Sequence, residues 1–263
     1  MKLPIYQVDA FTRERFKGNS AAVVPLEQWL SDAQMQAIAA ENNLSETAFL
    51  VREPDGAFHI RWFSPLTEID FCGHATLASA LVLLDHAMAV SPLRFRAKAV
   101  GDVAVTQLDD GRLEMDFPNR APEPVAVPPV ALLDGLGVAP QVVLKNRQAW
   151  FAVYDDERQV RQLTPDLAAL KTLAPLDVVI TAAGREQDFV SRYFWPANGG
   201  DEDPVTGSIH AGLAPYWAER LGKPSLVALQ ASRRSGLLYC RVEGARVFVA
   251  GHAVQYLQGT IEI

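Results

Sequence analysis

Apolar positions at Met35, Ile38 and Ala39 follow Ser31, with Gln34 three residues after it. That is the spacing of one helix face behind a capping-box start, so the pattern predicts a helix from Ser31 that ends near Asn42 and Asn43. Two runs rich in branched and aromatic residues, Glu46 to Val51 and Ala57 to Phe63, flank Pro54-Asp55-Gly56 and predict a hairpin. After Cys72-Gly73-His74 the segment ATLASALVLLDH is apolar on nearly every side, which predicts a helix covered all round.

The order then repeats. Thr164 as N-cap, with Pro165 in the first helical position, predicts a helix to about Leu173. Strands are predicted over Leu176 to Ala182 and Asp188 to Trp195. Thr206-Gly207-Ser208 leads into IHAGLAPYWAERL, closed by Gly222. The helix starts and the two glycine turns recur at nearly the same offset, the mark of an internal duplication. Between the halves lies PNRAPEPVAVPPV, from Pro118 to Val130, a run that holds neither a helix nor a central strand. The expected fold is α+β with two pseudo-symmetric lobes, 1–118 and 119–263. Each is a mostly antiparallel sheet holding one buried helix, and the last strand is free to return to the first lobe.

Composition narrows the function. The chain has 263 residues, of which 49% are hydrophobic and 21% charged, an ordinary globular balance. With 24 Lys and Arg against 31 Asp and Glu, the net charge is −7, which argues against nucleic acid or an anionic membrane as partner. No apolar run approaches the ~20 residues of a spanning helix, and MKLPIYQVDAF lacks the apolar stretch of a leader. Cys72 and Cys240 have no paired spacing, so a disulfide framework is not expected and a cytoplasmic location is.

Each glycine turn opens a helix whose first N–H groups and dipole attract anions, so Gly73 and Gly207 mark candidate carboxylate sites, although one such turn alone commonly binds nothing. Asp203 precedes Pro204, which favours an extended backbone at the mouth of the second helix; the plainer reading is a solvated loop acid beside Asp201 and Glu202. Glu46 opens an apolar strand, where a buried carboxyl suits acid/base work and an edge carboxyl in water does not. His74 and His210 lie at or just inside the two helix starts. No HExxH or related spacing accompanies them, so no metal is expected. Cys72 is either an activated thiolate or a small packed residue. Phosphate-cradling and dinucleotide fingerprints are absent and no lysine is marked for pyridoxal phosphate, so no cofactor is expected.

The blocks VDAFT and GNSAAVV near the amino end, LSETAFLV from Leu44, DFCGHATLASA from Asp70, EDPVTGSIHAGLAPYW from Glu202 and QASRRSGLLYCRVEG from Gln230 resemble the PhzF family of phenazine-biosynthesis-like isomerases. The resemblance implies the diaminopimelate epimerase fold, two pseudo-symmetric lobes that are each an antiparallel β-barrel-like sheet around a central helix, with an active site between them, and a homodimer. It gives Glu46 the acid/base role, with His74, Asp203 and Ser208 as the other catalytic residues. Gly73 and Gly207, with Asn19, Ser20, Cys72 and Thr206, would bind the substrate. Related epimerases carry a cysteine at both helix starts. Here the second place is Thr206, whose hydroxyl is too weak an acid to replace a thiol. The expected activity is therefore a cofactor-independent proton transfer or double-bond shift in a small carboxylate. The alternatives are an amino-acid epimerase or racemase, and a non-catalytic small-ligand-binding protein of the same fold. Ser20, where proline is common, and Ser235, where glycine is common, depart from the family pattern.

Overall fold

The computed structural model describes residues 1–197 and 200–263. In the first half the elements are β1 (Lys2–Ala10), β2 (Asn19–Leu26), α1 (Asp32–Asn42), β3 (Glu46–Arg52), β4 (Phe58–Phe63), β5 (Glu68–Ile69), α2 (Gly73–Asp85), β6 (Leu93–Ala97), β7 (Gly101–Gln107) and β8 (Leu113–Pro118). The second half begins with β9 (Glu123–Pro124), α3 (Val130–Leu136), β10 (Val142–Lys145), β11 (Ala149–Val153), α4 (Glu157–Gln162), α5 (Leu167–Lys171) and β12 (Asp177–Ala183). It continues with β13 (Phe189–Trp195), β14 (Gly200–Asp203), α6 (His210–Leu221), β15 (Ser225–Gln230), β16 (Gly236–Glu243), β17 (Arg246–Gly251) and β18 (Ala253–Glu262). Two compact units result, one of Met1–Asp116 with Ala250–Ile263 and the other of Phe117–Val249.

The duplication is visible in the strand directions. In the first unit β2 pairs parallel with β3, β3 antiparallel with β4, β4 antiparallel with β5, and β4 parallel with β6. In the second, β11–β12, β12–β13, β13–β14 and β13–β15 repeat that series. Parallel neighbours need a crossover, and helices supply it: α1 and α2 in the first unit, α4 with α5 and then α6 in the second. The sheets are thus mixed rather than purely antiparallel.

Helix α2 buries ten of its thirteen residues, which requires cover on every side. It packs against β1, β2, β3 and β18, which explains a sequence with no polar stripe. Helix α6 packs on β15 and β16, and its Trp217 stacks on Phe189 of β13 and donates to Thr181 Oγ1 of β12 at 3.0 Å. Gly222 closes it in the left-handed conformation. Ser31 caps α1 in a complete capping box and Asn43 ends it at φ 48°. The start predicted at Thr164 is corrected: Asp166 is the cap of α5, accepting from the N–H groups of Ala168 and Ala169, and Pro165 lies before the helix. Helix α4, capped by Asp156 and Gln159, was not predicted, because six residues are too few to show a period. Among the described residues no helix is long and apolar enough to cross a membrane.

Candidate active site

In the first unit the parallel pairing of β2 with β3 sets Glu46 opposite Ala21, two residues from Asn19. The start of α2 brings Cys72 and His74 to the same place. Glu46 and His74 are each 4% exposed, so Glu46 is not an edge residue in water. His74 Nε2 lies 3.0 Å from Glu46 Oε2, and Nδ1 lies 3.0 Å from Asn19 Nδ2. Ser45 Oγ donates to Asn19 Oδ1 at 3.0 Å, which turns the amide nitrogen toward the ring. Asn19 is then the donor to Nδ1, so the imidazole carries its proton on Nε2, facing the carboxylate. That N–H is not aligned on Oε2, and the buried oxygen accepts no hydrogen bond despite the short distance. Cys72 Sγ sits 3.4 Å from Nδ1 and 3.9 Å from Nε2 of the same ring. As N-cap of α2 it makes no side-chain capping bond, so the thiol is turned to the imidazole rather than to the helix.

Asp9 of β1 holds this corner in shape. Its buried carboxylate accepts from Ser20 Oγ at 2.5 Å and from the N–H of Phe16 at 2.8 Å. Ser20 therefore supplies a donor that a proline in its place would lack. Gly18, at φ +63°, has no room for a Cβ beside the Ala10 carbonyl and the Thr12 methyl, and it delivers the chain into Asn19. Gly73 and Gly207 are not left-handed, so neither needs glycine for its backbone angle.

In the second unit Asp203 ends β14, and it is not a solvated loop acid. Its Oδ2 accepts from Thr206 Oγ1 at 2.5 Å. Gln230 Oε1 accepts from the Thr206 N–H at 2.8 Å, and its Nε2 donates to Asp203 O at 2.9 Å. Ser208 Oγ accepts from Gln148 Nε2 at 2.9 Å, and the same nitrogen donates to Tyr193 Oη at 3.2 Å. Tyr193 in turn donates to Asp177 Oδ2 at 2.5 Å. Burial, then the Asp177 carboxylate, pushes the Tyr193 hydroxyl far above its usual range, so it stays a donor. Because Ser208 accepts from Gln148, its own proton is left to donate, and no described residue receives it.

Helix α6 proper begins at His210. Residues 207–209 form a tighter turn in which the N–H of His210 donates to Gly207 O at 3.2 Å and that of Ala211 to Ser208 O at 3.1 Å. His210 Nδ1 bonds Thr206 O at 2.9 Å, and complete burial lowers its pKa to about 4. It is a neutral structural residue rather than a proton donor. The residues that spacing did not mark are Asp9, Ser45, Gln148, Tyr193 and Gln230. Asp9, Ser45 and Gln230 lie inside the VDAFT, LSETAFLV and QASRRSG blocks, the one sequence signal that points to them. Two grooves of about 680 Å³ also occur. One is lined by residues such as Arg120 and Arg147 and the other by Trp29 and Arg61, and neither is lined by Glu46, His74, Asp203 or Ser208.

A carboxyl, an imidazole and a thiol, all buried, thus lie within reach of one another in a duplicated fold. Comparison with known proteins gives the family. The model of the family described as phenazine biosynthesis-like protein matches residues 8–259. A Pseudomonas aeruginosa protein named an uncharacterized isomerase is 50% identical over the whole length of both chains. The crystal structure of a PhzF family protein from Enterococcus faecalis superposes with a TM-score of 0.94 at 45% identity, covering 100% of each chain. A predicted epimerase from Pseudomonas aeruginosa, at 23% identity, covers 98% of this chain and 99% of its own with a TM-score of 0.76 and shares the fold. The chain belongs to the phenazine biosynthesis-like (PhzF) family and has the diaminopimelate epimerase-like fold. Its activity is of the isomerase type.

Proposed function

We propose that the protein shifts a proton, and with it a double bond, within a small carboxylate, without metal or cofactor. Glu46 Oε2 carries the reading: a buried carboxylate oxygen with no hydrogen bond keeps a lone pair for a substrate C–H. Glu46 takes that proton, the electron pair moves into the adjacent π-system, and the protonated Glu46 returns the proton to the carbon at its far end. His74, held by Asn19 with its proton on Nε2, steadies the charge that alternates on Glu46. Within the second unit Ser208 has a hydroxyl proton suited to a carboxylate, and the helix starts beside Gly73 and beside Gly207 each present N–H groups of the kind that attract such an anion. The homodimer and the absence of nucleic-acid or membrane partners belong to the same reading.

Thr206 supports one-base chemistry. Its hydroxyl already donates to Asp203, and by the family resemblance it takes the place where related epimerases carry a second cysteine. One observation favours the other reading, an amino-acid epimerase or racemase: Cys72 Sγ lies 3.4 Å from His74 Nδ1, close enough to share a proton. Incubating the protein with a panel of small unsaturated carboxylates and amino acids in D₂O, followed by NMR, separates them. Deuterium incorporation with a moved double bond, retained in Cys72→Ser, supports the proposal. Exchange with inversion at one carbon, lost in Cys72→Ser, replaces it with the epimerase. No exchange with any member of the panel favours a ligand-binding protein.

A further inference from the structure

Sequence spacing gives no metal motif, yet folding brings Glu46, Cys72 and His74 together so that one donor atom of each lies within 4.8 Å of the others. The donor types are a carboxylate, a thiol and an imidazole, a borderline-soft set that selects zinc over magnesium or calcium. A tetrahedral zinc ion with bonds of about 2.0–2.3 Å sets neighbouring donors about 3.4–3.6 Å apart. The observed separations, 3.0 Å from His74 Nε2 to Glu46 Oε2 and 3.9 Å from Nε2 to Cys72 Sγ, bracket that value. A second observation points independently to a ligand: Oε2 is buried and accepts no hydrogen bond. Asn19 already bonds Nδ1, which leaves Nε2 as the ring nitrogen for a metal once its proton is lost. This is how a ligating histidine is usually oriented by its other nitrogen.

We infer that Glu46, Cys72 and His74 form a three-ligand site for Zn²⁺, with an open fourth position, and that zinc occupying it blocks the enzyme. Binding displaces the thiol proton of Cys72 and the Nε2 proton of His74 to solvent, so it strengthens as pH rises. It also covers the Glu46 lone pair. The binding claim stands on the cluster alone. The inhibition claim rests on Glu46 being the base, as proposed above.

The test uses the whole protein with Co²⁺ and Zn²⁺ alone. Co²⁺ should bind with one equivalent per chain, giving a thiolate-to-cobalt charge-transfer band and intense tetrahedral visible bands, and Zn²⁺ should bleach both. Cys72→Ser should abolish the charge-transfer band and Cys240→Ser should leave it. Glu46→Gln should weaken Zn²⁺ binding in calorimetry by ~10-fold or more. In the unaltered protein Zn²⁺ should protect one thiol from a thiol reagent, a readout that survives if a variant fails to fold. Absence of the charge-transfer band, or its persistence in Cys72→Ser, overturns the site. Binding as expected with undiminished D₂O exchange overturns the inhibition and leaves the site standing. Loss of exchange in Glu46→Gln bears on the catalytic reading alone.

Discussion

His74 stands between two partners of opposite demand: Asn19 Nδ2 at 3.0 Å donates to its Nδ1, and Glu46 Oε2 at 3.0 Å faces its Nε2. Asn19 thus fixes which nitrogen of a buried ring carries the proton. Nitrogen NMR of the histidine rings near neutral pH should show His74 as the Nε2–H tautomer. Asn19→Leu should release that preference and lower turnover more than ligand affinity. An Nδ1–H ring in the unaltered protein contradicts this arrangement.

Gln148 is a positioning residue for Ser208. Replacing it with Leu removes the donor that leaves the serine proton free, while Tyr193 keeps its bond to Asp177. Loss of one such bond is worth about 1 kcal/mol, so affinity for a carboxylate that exchanges should fall by about 5- to 10-fold in calorimetry, with the melting temperature little changed. Unchanged affinity would remove Ser208 from carboxylate binding.

His210 makes stability depend on pH. Its folded pKa of about 4 lies below the ordinary 6.5, so between these values the unfolded chain binds a proton that the folded one does not. The contribution is complete above pH 6.5 and is lost progressively as pH falls toward 4, at most about 3 kcal/mol. Urea midpoints of the unaltered protein and His210→Asn, which keeps a donor for Thr206 O, should therefore differ in slope across that window. Parallel slopes would show that the ring is charged in the folded state.

Gly18→Ala should cost about 2–4 kcal/mol, because φ +63° is strained for alanine and the new methyl meets the Ala10 carbonyl. Gly56, at φ +82° with nothing near its Cβ position, carries the strain without the clash, and its alanine variant should cost about 1–2 kcal/mol. Equal costs in urea unfolding would mean that the loop before Asn19 yields.

Elements with a strong local signal were legible in the chain. The Ser31 capping box, the hairpin around Pro54-Asp55-Gly56, the Gly222 stop and the repeated order all have a cause within a few residues. The helix start at Thr164 misled because Asp166 caps better than Thr164 once its side chain can reach two N–H groups. Glu46 and His74 were legible from their places at a strand start and a helix start. That they touch, with Cys72 beside them, depends on β2 lying parallel to β3 beneath α2, a pairing that no local pattern encodes. Gln148 and Tyr193 act through hydrogen bonds between residues far apart in the chain, so spacing could not have found them.

The central claim is that Glu46 moves the proton. Glu46→Gln keeps the size and volume of the side chain and removes only the base, a loss typically worth ~10²–10⁴ in rate. With a carboxylate that the unaltered protein exchanges in D₂O, the variant should lose exchange and turnover by that factor. Affinity should be unchanged or slightly improved, since a like charge is gone. Exchange at the unaltered rate in a folded Glu46→Gln protein would contradict the account.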